Sequence, residues 1–283
     1  MLKGIELRLC PNETQKDYIS QTLGCCRLIY NKALALRKDE YEHGKSVGYY
    51  ETNEMFMFLE STEEMSFLNK ANTVAIQQSL RDLDTAYKNF FRKTAGFPKF
   101  KSKKVSSESY RSYGRSIRVE KNRIYLPGLK WVKFRKSQNM DSLNIKYVTV
   151  RKTNTGKYYA ILTVEFEPAV KSATDKAVGI DLGIKDFAIY SNGEHIANPH
   201  FLKESMNKLK REQKKLSKRK KGSKRYYKQK LKVARLHEHI ANQRRDFFAQ
   251  TVDQTDKRKP SHLSGRPQCK RYDAEPQVST KYQ

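Results

Sequence analysis

Residues 144–166 decide the fold class, because NIKYVTV (144–150) and KYYAILTVEF (157–166) flank the polar segment RKTNTG (151–156). Both apolar runs are rich in β-branched and aromatic residues, as strands are. Gly156 can adopt the positive φ that a tight connection between antiparallel strands needs. The stretch therefore predicts a β-hairpin, and the neighbouring segments can be placed around it.

Further short strands are predicted on both sides of the helical part of the chain. Residues 3–9 (KGIELRL) alternate, so that Ile5, Leu7 and Leu9 share one face. Upstream of the hairpin, three short apolar runs follow one another, namely Ile117-x-Val119, Ile124-x-Leu126 and Trp131–Phe134. Together these make about six strands, which is enough for a small antiparallel barrel formed by residues 1–10 and 96–170.

Residues 11–95 are predicted to be a helical insertion after the first strand. Two apolar series repeat with a 4-3-4-3 spacing typical of a helix with one buried face. Gly24 lies inside the first series and leaves two interpretations open, a helix-turn-helix or one helix with a tolerated glycine. The acidic residues 41–71 between the series predict a short helix and loops. The two series are Ile19, Leu23, Cys26, Tyr30, Ala33 and Ile76, Leu80, Leu83, Tyr87, Phe90.

The charge balance indicates a polyanionic partner. The 58 Lys and Arg outnumber 30 Asp and Glu, which gives a formal net charge of +28 on 283 residues. Such an excess repels itself in a compact fold, whereas phosphates neutralised by Lys or Arg release counterions. The excess is not a basic tail, because the cations occur throughout the chain. No apolar run approaches the roughly 18 residues of a membrane span, and no signal-peptide pattern is present, so nucleic acid is favoured over a membrane.

The cysteines carry no sign of a disulfide framework or a zinc site. Cys10, Cys25, Cys26 and Cys269 include no Cys-x-x-Cys pair. We therefore expect a reducing, cytoplasmic setting and no bound zinc.

Residues 96–119 interleave aromatic and basic side chains. GFPKFKSKK (96–104) is followed by SYRSYGRSIRV (109–119), and Pro98 rules out a continuous helix. Phe97 and Phe100 either anchor a loop to the core or stack on bases, and a mixture with phenylalanine anchors and basic phosphate contacts is favoured. The predicted backbone contacts are Lys99, Lys101, Lys103, Arg111 and Arg115.

A second basic surface is predicted at residues 203–235, which hold sixteen Lys or Arg and two Glu. Leu209 and Leu216 indicate one helix, while Leu231 and its neighbours indicate a second that continues towards Phe247. The run SKRKKGSKR (217–225) between them predicts the turn of a helical hairpin. Residues 251–283 lack apolar periodicity, which predicts a disordered tail. The predicted phosphate contacts at the turn are Lys218, Arg219, Lys220, Lys221, Lys224 and Arg225.

Asp181 is the residue with catalytic potential. The stretch AVGIDLGIKDFAIY (177–190) predicts two strands around a tight turn, with Asp181 inside an apolar strand. A buried carboxylate is costly unless it meets a cation or a donor, and Gly179 and Gly183 leave space for close approach. From the residues alone, three interpretations stay open: the first ligand of a two-metal nuclease site, an Asp capping a turn, or part of a sugar-kinase-like ATPase fold.

Five stretches resemble the TnpB (OrfB) proteins of bacterial insertion sequences, relatives of the type V CRISPR effectors, and the resemblance runs from residue 1 to about 249. It implies an RNA-guided DNA endonuclease with a guide RNA, double-stranded target DNA and Mg²⁺ as partners. It also implies an α+β multidomain fold, with a wedge-type β-barrel, an inserted helical recognition lobe and a RuvC-like (ribonuclease-H-like) domain. Asp181 would be the first of three metal-binding carboxylates. The stretches are LGCCRLIYNKALALR (23–37), GFPKFKSKK (96–104), TGKYYAILTVE (155–165), VGIDLGIKDFAIYSNGE (178–194) and HIANQRRDFF (239–248).

The sequence also departs from this family. The family pattern continues with a strand ending in Glu-Asp, a four-cysteine zinc element and a final Asp, none of which occurs here. The resemblance breaks off near residues 249–253, as a truncation or frameshift would produce, so residues 171–250 are predicted to be a partial RuvC-like domain. We expect a bacterial or archaeal, nucleoid-associated protein that binds Mg²⁺ unproductively and does not cleave, or alternatively an RNA-guided or direct DNA-binding repressor. The remaining acids, Glu194, Asp246, Asp253 and Asp273, lie in no matching context.

Overall fold

The computed structural model describes residues 1–103, 108–113, 117–135, 143–167 and 179–258. The chain divides into two compact units, Met1–Pro168 and Ala169–Gln283. Each unit is described by itself.

The first unit combines helices with one antiparallel sheet. Its strands and helices follow the order β1 (Leu2–Cys10), α1 (Glu13–Glu42), α2 (Tyr49–Ser61), a 3₁₀ helix (Glu63–Lys70), α3 (Thr73–Phe91), β2 (Glu108–Tyr113), β3 (Arg118–Glu120), β4 (Arg123–Leu126), β5 (Lys130–Arg135), β6 (Asn144–Lys152) and β7 (Tyr158–Glu165).

The sheet of the first unit has the strand order β2-β6-β7-β1-β5-β4-β3, and every pair is antiparallel. The hairpin predicted at residues 144–166 is confirmed as β6 and β7. The count of about six strands was one too low, because residues 108–113 pair with β6 instead of forming a loop. In the part of the chain that the structure describes, β2 and β3 are the two end strands, so closure of the sheet into a barrel stays a prediction.

The alternation predicted for the first strand is confirmed. Ile5, Leu7 and Leu9 are buried on one face of β1, while Glu6 and Arg8 on the other face are half-buried. β1 lies between β7 and β5, which come from the far end of the unit. The first ten residues therefore complete the sheet, and the helices between β1 and β2 are an insertion.

α1 runs unbroken from Glu13 to Glu42, so the single-helix interpretation of Gly24 is correct. Asn12 and Gln15 form a capping box, in which the Gln15 backbone N–H donates to Asn12 Oδ1 at 2.8 Å. A Cβ added at Gly24 would meet no atom within 4 Å. The helix therefore carries the glycine at a modest cost in propensity and needs no turn there.

α1 and α3 are joined by a buried ion pair near their far ends. Arg37 Nη2 lies 2.9 Å from Asp84 Oδ1, and only 5% of the Arg37 side chain is exposed. The same guanidinium lies 4.8 Å from the centroid of the Tyr87 ring. Burial opposes ionisation of Asp84, but hydrogen bonds from Lys88 and Arg37 outweigh it and lower the Asp84 pKa.

The second unit contains a small sheet and a helical hairpin. The sheet has the order β10-β9-β8, formed by β8 (Ile180–Asp181), β9 (Asp186–Tyr190) and β10 (His195–Ala197). The predicted basic hairpin is confirmed as α4 (Phe201–Ser217) and α5 (Lys224–Arg258). α5 extends eight residues beyond the predicted start of the tail at residue 251, because no Gly or Pro interrupts it and Thr251 is buried. Residues 259–283 lie outside the described residues.

Across the described ranges, none of the helices is both long enough and apolar enough to cross a membrane.

Candidate nucleic-acid interface

The turn between α4 and α5 presents six exposed cations within eight residues. α4 ends at Ser217, and Gly222 takes a φ of +88°, which lets the chain reverse. Ser223 caps α5, because its Oγ accepts the Tyr226 backbone N–H at 3.1 Å. All six residues predicted here are exposed, so their charges are available to phosphates. They are Lys218, Arg219, Lys220, Lys221, Lys224 and Arg225.

A small apolar core and one polar link hold the two helices beneath this turn. Leu209, Val233 and Ile240 are buried together. The buried Gln229 amide donates to the Glu212 backbone oxygen at 3.0 Å and to its carboxylate at 2.7 Å. Hydrogen bonds from Gln229, then from Lys215 at 2.9 Å, lower the pKa of Glu212 to about 2.

The link between Gln229 and Glu212 was not predicted from the sequence. Its one available signal was that Glu212 is among only two acids in a segment with sixteen cations.

The cations predicted at residues 96–103 divide into two groups. Lys99 and Lys103 are exposed, as a phosphate contact requires. Lys101 is turned inward, and its Nζ lies 3.8 Å from the Tyr30 ring centroid. Its backbone N–H donates to Asn31 Oδ1 at 2.8 Å, and its burial lowers the ammonium pKa. Lys101 therefore fastens the segment to α1.

The phenylalanines of this segment also face the helices. The Phe97 ring meets the rings of Tyr87 and Phe90 edge-on, with centroids 5.6 Å and 5.2 Å away. Lys38 Nζ lies 5.3 Å from the Phe97 centroid and 4.9 Å from that of Phe100. The predicted anchoring role is confirmed for Phe97, while Phe100 keeps 53% of its surface exposed.

Arg111 lies on β2 and not in a loop. Its guanidinium carbon is 5.2 Å from the Tyr147 ring centroid on β6, and its Nη1 is 3.9 Å from Asp82 Oδ1. The side chain remains 37% exposed. Arg115, the other contact predicted nearby, lies outside the described residues.

Asp181 is exposed at the end of β8, so the prediction of a buried apolar strand is wrong. β8 is two residues long and, among the described residues, pairs with β9 alone, with Asp181 opposite Ile189. Leu182 and Ile184 beyond it are 65% and 85% exposed. Gly183 belongs to a tight turn. A Cβ at this position would come within 2.9 Å of the Asp186 backbone oxygen, so the turn needs a glycine there. Asp181 thus starts a solvent-facing hairpin.

The described residues do not fit a two-magnesium centre. Over residues 1–103, 108–113, 117–135, 143–167 and 179–258, no three His, Cys, Asp or Glu side chains gather in a way that could hold a metal ion. In the same small sheet, His195 Nδ1 lies 3.7 Å from Asp186 Oδ2. Asp181 therefore lacks, within these ranges, the partner carboxylates that its predicted role requires.

Known families match both ends of the described chain. Residues 161–255 match the OrfB_IS605 model, described as a probable transposase, and residues 1–46 match HTH_OrfB_IS605, a helix-turn-helix domain. The latter match covers the sequence that forms β1 and the single helix α1. These two matches define the class as transposase-associated proteins of IS605-type insertion sequences. The chain belongs to the OrfB (TnpB) family.

Two relatives extend the similarity over most of the chain. "Putative RNA-guided DNA endonuclease InsQ" of Escherichia coli K12 is 35% identical over 253 residues, which is 87% of this chain and 61% of that protein. A Streptomyces pristinaespiralis protein of the same description is 33% identical over 260 residues, or 87% of this chain and 62% of that protein. The chain thus spans about three fifths of the length of these relatives.

Solved structures of Cas12f complexes are also similar. A Cas12f1–sgRNA–target DNA complex matches 90% of this chain and 78% of its own, with 13% identity and a TM-score of 0.48. A CRISPR–Cas12f ternary complex matches 87% of this chain and 61% of its own, with 14% identity and a TM-score of 0.38.

Proposed function

We propose that this chain binds a guide RNA together with double-stranded target DNA. The observation that carries the proposal is the α4–α5 turn, where six exposed cations stand at the end of a helical hairpin. Clustered Lys and Arg side chains on one turn can contact several phosphates of a nucleic-acid backbone. Such contacts position the protein on the nucleic acid without reading its sequence. The names of the two curated relatives, which specify RNA-guided action on DNA, support the same partners.

The proposed contacts are the exposed members of the predicted set. At the turn they run from Lys218 to Arg225, and in the first unit they are Lys99 and Lys103 with the partly exposed Arg111. Arg115, which lies outside the described residues, stays in the proposal on its sequence context alone. Lys101 supports this surface indirectly, because its ammonium lies against Tyr30. We assign it to holding residues 96–103 in place.

The domain boundaries belong to the same proposal. Residues 1–10 and 96–170 would form the wedge-type barrel, residues 11–95 the inserted helical lobe, and residues 171–250 a partial RuvC-like domain. The insertion of α1–α3 between β1 and β2 supports this division.

Residues 1–283 by themselves are proposed not to cleave DNA. Asp181 is the one carboxylate whose sequence context matches the family's metal site, and a single carboxylate leaves two Mg²⁺ ions without the ligands they need. The exposure of Asp181 and the absence of a metal-binding group among the described residues support this.

The binding proposal is tested by the salt dependence of affinity. The affinity of the purified chain for guide RNA and for target duplex should fall with a log–log slope of about −0.9 per duplex phosphate contact. A flat salt response would rule the proposal out.

A cleavage assay tests the second part. The chain is incubated with guide RNA, matched duplex and Mg²⁺, beside its Asp181→Ala variant. We expect no guided cleavage from either protein. Cleavage that Asp181→Ala abolishes would show that the site is complete in a form not proposed here.

The alternative is a repressor that occupies DNA with or without RNA, and the solvent-facing, isolated position of Asp181 favours it. The two functions differ in the need for a guide. If the chain binds matched duplex equally well with and without RNA, direct DNA binding replaces the guided model.

A further inference from the structure

One face of the seven-stranded sheet carries a set of arginine–aromatic contacts, of which the functions above use only the charge of Arg111. Residues that alternate with the buried core point away from it, and seven of them at paired register positions are cations. We call this set the outer face of the sheet. Its cations are Arg8, Arg111, Arg118, Arg123, Lys133, Arg135 and Arg151.

Three arginines of the outer face share the same surroundings. Each guanidinium lies over an aromatic ring on the paired strand, at 5.2 Å for Arg111 over Tyr147, 5.4 Å for Arg151 over Tyr159 and 4.8 Å for Arg123 over Trp131. Arg151 stands directly opposite Tyr159 in the antiparallel register. Arg111 and Arg123 reach diagonally, to the ring two residues from their direct partners Thr149 and Lys133.

A carboxylate holds each of these arginines from the side. Arg151 Nη2 is 2.7 Å from Glu6 Oε2, and Arg123 Nη2 is 2.9 Å from Glu120 Oε2. The third pair is looser, with Arg111 Nη1 3.9 Å from Asp82 Oδ1. The three side chains are still 38%, 53% and 37% exposed, in that order. Each arginine is therefore held between a ring and a carboxylate, most loosely for Arg111, and its side chain stays partly exposed.

We infer that this outer face binds an unpaired, single-stranded segment of nucleic acid by stacking its bases on the three arginine–aromatic pairs. The inference rests on the proposed nucleic-acid function. A base has a π-face that stacks on an aromatic ring or a guanidinium plane whatever its identity. In a duplex the bases are already stacked and paired, so these planes favour unpaired nucleotides. The other cations of the outer face neutralise the phosphates of the bound strand.

The spacing of the pairs suits a strand that crosses the sheet. Neighbouring strands are about 4.8 Å apart, so the Arg111 and Arg151 pairs lie about one strand apart. The Arg123 pair on β4 and β5 lies about three strands further, or about 14 Å. A segment of a few nucleotides can therefore touch all three pairs, within the range of about 4–16 nucleotides that sheet-based single-strand binders cover.

Trp131 provides a direct test, because it is the chain's single tryptophan. The full chain is titrated with fluorescein-labelled 15-nucleotide single-stranded RNA, single-stranded DNA of the same sequence, and a blunt RNA duplex. Anisotropy measures binding while Trp131 emission, excited at 295 nm, measures contact at the outer face. We expect a saturable change in Trp131 emission with the single strands, at the same midpoint as anisotropy, and none with the duplex.

Charge-preserving variants give a second measurement. In the triple variant Arg111→Lys, Arg123→Lys, Arg151→Lys the net charge and the three aromatic rings are unchanged, but the three guanidinium planes are lost. Single-strand affinity should fall about tenfold with the salt slope unchanged, and duplex affinity should change by less than about twofold. If the triple variant loses more affinity for single-stranded RNA than for single-stranded DNA, the outer face binds RNA. Equal losses of affinity mean that it binds either kind of strand.

The outcomes separate this inference from the function on which it rests. If the wild-type chain binds no nucleic acid, the proposed function itself fails. If it binds single strands by anisotropy while Trp131 emission stays constant, binding is real but the outer face is not the site. Should the triple variant unfold, the wild-type tryptophan titration alone still decides.

Discussion

Two short segments of this chain are rich in cations, with three in the eight residues 96–103 and six in the eight residues 218–225, and they use these cations differently. In residues 96–103, the Phe97 ring packs against α3 and Lys101 packs against α1, so Lys101 holds the backbone in place and does not face solvent. Between residues 218 and 225, every cation is exposed, and the attachment is made below the turn by Glu212, Gln229 and a small apolar core. The contrast teaches that neighbouring aromatic residues draw a lysine inward, whereas a turn between amphipathic helices leaves it outside.

The largest expected effect concerns the ion pair between α1 and α3, the two helices to which the first segment is fastened. Arg37→Ala should lower the free energy of unfolding by about 1–3 kcal/mol, because it removes a buried guanidinium that packs over Tyr87 and one of the two cations on the half-buried Asp84. Chemical denaturation measures the loss. Lys88→Ala, which removes the exposed partner of the same carboxylate, should cost less than about 1 kcal/mol. Equal losses in the two variants would contradict a buried anchor.

The next effect is on binding at the turn. The variant Lys218→Gln, Arg219→Gln, Lys220→Gln, Lys221→Gln should weaken duplex affinity by more than about tenfold and reduce the salt slope by about 3–4. Anisotropy at several salt concentrations checks both. Lys99→Gln with Lys103→Gln should lose less per charge, because fewer cations surround them. If the two variants lose the same affinity per charge, the distinction between the segments disappears.

A smaller effect isolates the inward-facing lysine. Lys101→Met keeps the apolar stem and removes the charge, so the unfolding free energy should change by no more than about 1 kcal/mol, as the lost contact with Tyr30 is offset by relief of desolvation. Nucleic-acid affinity should stay within about twofold of wild type, as measured by the same anisotropy titration. Lys103→Met, at an exposed position two residues away, serves as the control. A tenfold loss with Lys101→Met would return Lys101 to the interface.

The smallest effect is the pH dependence of the hairpin. The Glu212 pKa of about 2 lies below the unfolded value of about 4.3. Its contribution to stability is therefore complete above the unfolded pKa and is lost as the pH falls towards 2. Gln229→Ala removes the main donor and should flatten the thermal stability of the hairpin between pH 5 and pH 2. Gln213→Ala on the exposed side of α4 should keep the wild-type profile, and a profile unchanged in both variants would refute the link.

Local patterns predicted most of the secondary structure. The apolar residues of β1 alternate, and those of α3 repeat with helical spacing. Each pattern therefore predicts its element and its buried face, as with Ile5, Leu7 and Leu9 on β1 and the Ile76–Phe90 series on α3. Pairing across the sheet was less accessible. Residues 108–113 look like a polar, aromatic loop, and their place beside β6 depends on a partner about forty residues away.

The candidate site was predictable where exposure follows from local sequence. The turn at residues 218–225 is flanked by two amphipathic patterns, so its position outside a helix pair follows directly. The inward turn of Lys101 depends on Tyr30 and Asn31, and the exposure of Asp181 depends on how many strands cover it. The three arginine–aromatic pairs require strand register, which no single segment encodes.

Helix α5 also sets a length. It begins at Lys224, beside the basic turn, and carries Phe247. The Phe247 ring centroid is 5.0 Å from that of Phe187 on β9, the strand that pairs with β8 and Asp181. At 1.5 Å per residue the two points are about 35 Å apart. A straight duplex advances 3.4 Å per base pair, so this rod corresponds to about ten base pairs. In the second unit the proposed phosphate-binding turn and the hairpin that bears Asp181 are thus separated by a distance close to one turn of the double helix.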